Sequence, residues 1–122
     1  MDIGDMRREF ESEGLDRDDL DDDPIRQFER WFEDARTAGI LEPNAMSLAT
    51  AGADGMPDLR TVLLKYFDAR GFVFYTNYGS RKARELEDNP RAALLFPWLG
   101  LNRQVRIQGP VEKGSKAESL RY

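Results

Sequence analysis

Tyr75-Thr76-Asn77-Tyr78-Gly79-Ser80-Arg81-Lys82 sets aromatic rings, hydroxyls and two adjacent cations in one short stretch. The stretch leaves an aromatic strand, turns at Gly79 and opens a helix at Ser80, whose hydroxyl oxygen can accept a bond from a free N–H of the first turn. Free N–H groups and the positive end of the helix dipole attract an anion. Arg81 and Lys82 add charge where the dipole is already positive, so an anion, above all a phosphate, is the simplest compensation. The alternative is a solvated helix start whose long cations point into water.

A second cationic set lies upstream in Arg60-Thr61-Val62-Leu63-Leu64-Lys65. Strand alternation puts Arg60 and Lys65 on opposite faces. Both reach one ligand only if the strand bulges or if Arg60 sits at its mouth. Otherwise they are two edge cations on a sheet. Gln104, between Arg103 and Val105, can donate to and accept from a heterocycle, or can be an ordinary exposed strand position. Phe74, Tyr75, Tyr78 and Trp98 offer stacking surface, although aromatics in a small barrel are usually core.

The composition narrows what these residues can do. The chain has no cysteine and no histidine, which removes disulfides, thiolate metal sites, the commonest metal ligand and the commonest general base. A Ser-His-Asp triad is excluded and no glycine-rich phosphate loop is present, so chemistry falls to a bound cofactor or another residue type. No metal is expected. The net charge of −5 divides into −9 over residues 1–34 and +4 over residues 35–122. A basic body suits a phosphorylated ligand, while the acidic leading arm opposes non-specific binding to a polyanion. No apolar run approaches the ~20 residues that span a bilayer, and Met1-Asp2-Ile3-Gly4-Asp5 opens no signal-peptide core, so a cytoplasmic location is expected.

The elements that must position these groups are legible in order. At 122 residues the chain makes one modest domain, with residues 1–22 as a flexible acidic segment and residues 23–122 as the body. Met6 to Gly14 predicts a short helix, and the charged run from Asp16 to Asp23 a solvated connector. Asp23-Pro24 opens the clearest helix, with Ile25, Phe28, Phe32 and Ala35 at spacings of three and four, Trp31 widening the stripe and Gly39 ending it. Strands are expected at Ala45 to Ala51, Leu59 to Phe67, Phe72 to Thr76, Arg91 to Phe96 and Arg103 to Val111, with a helix from Ser80 to Asp88. Pro97 to Asn102 reads as a connection, and Gly114-Ser115 as the start of a last helix. Strands joined by tight turns imply an antiparallel sheet curled into a small barrel.

In this order and spacing, Met6-Arg7-Arg8-Glu9-Phe10, Asp23-Pro24, Phe28-Glu29-Arg30-Trp31, Arg60 to Lys65, Phe72 to Asn77, Gly79 to Lys82, Asn89-Pro90-Arg91, Leu95-Phe96-Pro97-Trp98 and Arg103-Gln104-Val105 resemble the pyridoxamine 5'-phosphate oxidase family. The resemblance implies a mainly β, FMN-binding split barrel with flanking helices, antiparallel and Greek-key-like, working as a homodimer with flavin at the interface. It implies FMN contacts from Arg60, Thr61, Val62, Leu63, Leu64, Lys65, Tyr75, Thr76, Arg81, Lys82 and Gln104. Arg60, Arg81 and Lys82 suit the phosphate, and Gln104 a polar edge of the flavin. Lys65 and Tyr122 would hold the substrate phosphate, under a cover formed by Arg7, Arg8, Glu9 and Phe10. Phe10 stands where the family usually has Tyr. No catalytic residue is assignable in the chain, because the cofactor carries the redox step.

The reaction so implied is oxidation of pyridoxamine or pyridoxine 5'-phosphate to pyridoxal 5'-phosphate, with dioxygen as acceptor and hydrogen peroxide released. The family's sequence continues past the position of Tyr122, so the chain reads as the amino-terminal portion of such an oxidase, its barrel incomplete at the carboxy terminus. A non-catalytic flavin- or pyridoxal-phosphate-binding split barrel is the alternative. A single-strand nucleic-acid barrel has only the basic body and strand aromatics in its favour, and no nucleic-acid or membrane partner is expected.

Overall fold

Asp23-Pro24 starts helix α1, Pro24–Thr37, in the computed structural model, which describes residues 1–6, 15–77, 79–114 and 119–121. The Asp23 carboxylate accepts from the Ile25 N–H at 2.9 Å, and Pro24 occupies the first turn, where its missing N–H costs no bond. The helix ends in a Schellman arrangement. Ile40 N–H donates to the Ala35 carbonyl and Gly39 N–H to the Arg36 carbonyl, with Gly39 at φ +76°. The inward stripe is the one the spacing predicts: Phe28 and Ala35 are buried, with Ile25, Trp31 and Phe32 packed beside them.

Seven strands and a second helix follow. They are β1 (Ala45–Ala51), β2 (Pro57–Asp68), β3 (Gly71–Tyr75), α2 (Arg81–Asp88), β4 (Arg91–Trp98), β5 (Arg103–Pro110), β6 (Glu112–Lys113) and β7 (Ser119–Arg121). All pairs are antiparallel, in the order β5-β4-β1-β2-β3-β7-β6. Successive hairpins join β1, β2 and β3; β4 then returns through α2 to lie beside β1. That 4-1-2-3 order is a Greek key. Strand β2 links the two halves of the sheet, pairing with β1 from Pro57 to Leu63 and with β3 from Leu64 onward.

Where a carboxy-terminal helix is expected after Gly114, Ser119–Arg121 is instead strand β7, paired with both β3 and β6. Pairing there covers N–H and C=O groups that the edge of β3 would otherwise expose, and it overrides a weak local helix preference. Pro97 and Trp98 belong to β4 rather than to the following connection. Pro97 is tolerated because β4 pairs with β1 only as far as Leu95, so no ladder bond to that neighbour needs its N–H. Trp98 is buried, and its indole N–H donates to the Pro43 carbonyl at 3.1 Å.

Alternation sorts the strand residues into two faces. Met46, Leu48, Leu64, Leu94, Phe96 and Trp98 are buried on the inner face beneath α1. The Phe28 ring lies 5.0 Å from those of Phe67 and Phe72, 5.1 Å from Phe96 and 5.7 Å from Trp98. The outer face carries the in-register row Thr61, Ser47, Leu95 and Arg106. Leu59 and Leu63 remain exposed there. No helix among the described residues is long and apolar enough to cross a membrane.

Candidate functional site

The start of α2 forms as its sequence dictates. Ser80 is the N-cap, in extended backbone, and its Oγ accepts from the Ala83 N–H at 3.2 Å. The buried Thr76 hydroxyl lies 3.4 Å from Ser80 Oγ, and Ser80 N–H donates to the Asn77 carbonyl, so the last residues of the β3 segment fix the cap. No acid occupies the first turn of α2, which leaves the dipole and Arg81 uncompensated from within the helix. Lys82 is half-buried and pairs with no acid among the described residues.

Arg60 comes to this helix from β2. Its Nη1 donates to Thr50 Oγ1 at 2.7 Å and to the Leu48 carbonyl at 3.2 Å. Its Nη2 lies 3.0 Å from Asp58 Oδ2 and 3.9 Å from Glu85 Oε1. Thr50 Oγ1 in turn donates to Glu85 Oε2 at 2.9 Å, tying β1, β2 and α2 together. Arg81 Nη1 reaches the same Asp58 Oδ2 at 3.9 Å. Arg60 is therefore a fastened residue opposite Leu48, in the middle of the β1–β2 ladder, and not a loose edge cation. The Asp58 carboxyl is held below the usual carboxylate range, first by the Leu59 N–H. Partial desolvation opposes this; the neighbouring Glu85, Arg60 and Arg81 reinforce it. Beside the cluster runs an open groove of about 480 Å³, bordered by Asp54, Pro57, Asp58, Arg81, Arg84 and Glu85.

Lys65 does sit at a bulge, the register shift between Leu64 and Tyr66. The bulge does not bring it to Arg60. Asp58, Arg60, Val62 and Leu64 face inward; Lys65 and Tyr66 are both exposed, and Phe67 turns back to the core. Lys65 Nζ stands 5.7 Å from the centre of the exposed Tyr75 ring. The expected flavin residues thus fall into three groups. Arg60, Thr76, Arg81 and Lys82 gather around the start of α2, whereas Thr61, Leu63, Lys65, Tyr75 and Gln104 lie exposed on β2, β3 and β5. Val62 and Leu64 contribute side chains to the core instead. Gln104 pairs opposite Pro97, two residues from Arg106 on the same face. Arg7, Arg8, Glu9, Phe10 and Tyr122, with the helix expected before Gly14, lie outside the described residues.

Thr50, Asp58 and Glu85 were not among the expected site residues. The Asp58–Arg60 spacing of two was a readable signal, since it places both side chains on one face of a strand. The Thr50↔Asp58 register and the approach of Glu85 depend on the folded sheet.

An open Greek-key antiparallel sheet packed against one helix, with Arg60 and Arg81 converging at the start of α2, is the arrangement of a split-barrel protein. Residues 32–122 match the profile of the pyridoxamine 5'-phosphate oxidase family. A pyridoxine/pyridoxamine 5'-phosphate oxidase from Crocosphaera subtropica is 62% identical over 122 residues, covering 100% of this chain and 57% of the relative. One of the same name from Rubrobacter xylanophilus is 61% identical over 121 residues, covering 99% of this chain and 56% of that protein. The chain belongs to the pyridoxamine 5'-phosphate oxidase family, and it spans a little over half the length of these relatives. Among solved structures, PhzG from Burkholderia lata in complex with tetrahydrophenazine-1-carboxylic acid matches with a TM-score of 0.79 at 34% identity, over 84% of this chain and 52% of that one. A pyridoxamine 5'-phosphate oxidase-related, FMN binding protein from Nostoc punctiforme shares the fold, with a TM-score of 0.64 at 20% identity, over 77% and 50% of the two chains.

Proposed function

We propose that this chain carries the cofactor-binding part of an FMN-dependent oxidase acting on pyridoxamine or pyridoxine 5'-phosphate. The observation that carries the reading is the convergence of Arg60 and Arg81 on one oxygen at the start of α2, where Ser80 caps and Lys82 adds a further cation. Two guanidinium groups and a helix N-terminus suit a phosphate, because each supplies directed N–H donors to an anion. Arg60, Arg81 and Lys82 hold the FMN phosphate, with Thr76 setting the cap. The β2 segment from Thr61 to Lys65, together with Tyr75, runs along the flavin, and Gln104 meets its polar edge. Lys65 also faces the substrate phosphate, with Tyr122 and the Arg7 to Phe10 segment.

FMN held there by Arg60, Arg81 and Lys82 would supply the hydride acceptor for the substrate's exocyclic carbon, with dioxygen as the final electron acceptor and hydrogen peroxide as its product. The protein's part is to bind, orient and exclude water. A second copy of the chain covers the outer face, where Leu59, Leu63, Tyr66 and Tyr75 are exposed, and places the flavin between subunits. The assembly works in the cytoplasm without nucleic acid.

Flavin fluorescence titrations test the phosphate assignment. Arg81→Ala and Lys82→Ala should each weaken FMN binding about tenfold or more while sparing riboflavin, as expected for loss of a charged hydrogen-bond partner. Equal losses for both ligands would contradict it. Peroxide formation with pyridoxamine 5'-phosphate tests turnover; flavin binding without peroxide would identify a non-catalytic flavin carrier.

A further inference from the structure

The Arg60 and Arg81 guanidinium groups already share an anion, and it belongs to the chain. Asp58 Oδ2 lies 3.0 Å from Arg60 Nη2 and 3.9 Å from Arg81 Nη1, between the two cations assigned to the cofactor phosphate. We propose that Asp58 is a resident counter-ion that competes with the phosphate of the bound flavin, so that it sets how strongly the site prefers a phosphorylated ligand. This rests on the phosphate reading of the same site.

Asp58 is not what positions Arg60. Through Nη1 Arg60 is fastened by Thr50 Oγ1 at 2.7 Å and by the Leu48 carbonyl at 3.2 Å, and Glu85 lies 3.9 Å from the Nη2 that meets Asp58. Removing the Asp58 charge therefore leaves the guanidinium held. The other Asp58 oxygen, Oδ1, accepts from the Leu59 N–H at 2.9 Å, which aims Oδ2 at the cations. The side chain is one-third exposed at the edge of the groove, and the Arg81 side chain is 78% exposed, so both have room to re-aim when a phosphate arrives. Its lowered pKa keeps Asp58 negative at neutral pH, where it repels a phosphate and screens the arginines from it.

The test compares the wild-type chain with Asp58→Asn and Asp58→Ser, and with Asp58→Glu as the charge-retaining control, each titrated with FMN and with riboflavin. Thermal melts accompany each variant. Both neutral variants should bind FMN about three- to tenfold more tightly with riboflavin affinity unchanged, the size expected for removing one partly exposed like charge. Asp58→Glu should show no such gain. FMN binding by the neutral variants alone, with none by wild type, would support the proposal equally. If wild type prefers FMN to riboflavin and the folded neutral variants bind FMN no better, or worse, the counter-ion role is overturned and the phosphate reading stands. If no form of the chain prefers FMN to riboflavin, or none binds either flavin, both are overturned.

Discussion

Thr50 shows how one hydroxyl organises the cation cluster. It accepts from Arg60 at 2.7 Å and donates to Glu85 at 2.9 Å, and it is buried. Thr50→Val keeps the shape but removes both bonds, leaving a guanidinium nitrogen and a carboxylate oxygen short of a partner. Chemical denaturation should show a loss of about 1–3 kcal/mol, the cost of an unsatisfied buried polar group. Arg60 was legible in the sequence as a candidate cation because its type and place in an apolar strand are local facts. Its partners were not, since Thr50 and Glu85 lie 10 and 25 residues from it along the chain and meet only through the β1–β2 register and the packing of α2.

At the scale of elements, the connector before α1 is more structured than its charge run implies. Asp21 N–H donates to Gln27 Oε1, and the Asp21 carboxylate accepts from the Asp23 N–H at 2.9 Å while pairing with Arg26 and Arg30. These contacts fold the acidic segment back onto the start of the helix. The Asp23 N–H is the main cause of a lowered Asp21 pKa; desolvation opposes it, and Arg26 and Arg30 assist. A folded value below the unfolded one means that the stabilisation is full above the ordinary range and is lost as the pH falls through the lowered value. The melting-temperature gap between wild type and Asp21→Asn, present at pH 7, should therefore close as the pH drops below about 4. Differential scanning calorimetry across that range checks it.

At the scale of the molecule, α1 and the sheet share an aromatic core centred on Phe28. Its ring meets Phe67 of β2, Phe72 of β3, and Phe96 and Trp98 of β4, so one side chain joins the helix to three strands. Phe28→Ala should cost about 3–5 kcal/mol, measured by urea or thermal unfolding, because the rigid rings around it cannot collapse into the space. The same core holds the β1–β2–β4 platform from which Arg60 reaches α2. A fold defect at Phe28 should thus weaken binding of FMN and riboflavin together, unlike the phosphate-selective loss expected for Lys82→Ala.

The sequence by itself determined α1 and its caps, the first five strands, the capped start of α2 and the set of cations, because each follows from local spacing and residue type. Asp23-Pro24, Gly39 and Ser80 act within a turn of where they stand, and alternation acts within a strand. Tertiary structure alone decided which cations meet. The bulge at Lys65 satisfied the condition set by the sequence, yet it turned Phe67 inward and left Lys65 facing away from Arg60. It also decided that Ser119–Arg121 is a strand, since an edge of β3 needed hydrogen-bond partners that no local propensity registers. Above all, it placed Asp58, Thr50 and Glu85 around Arg60. Which charges sit within ion-pair distance depends on strand register and helix docking, and neither is written in any short stretch of the chain.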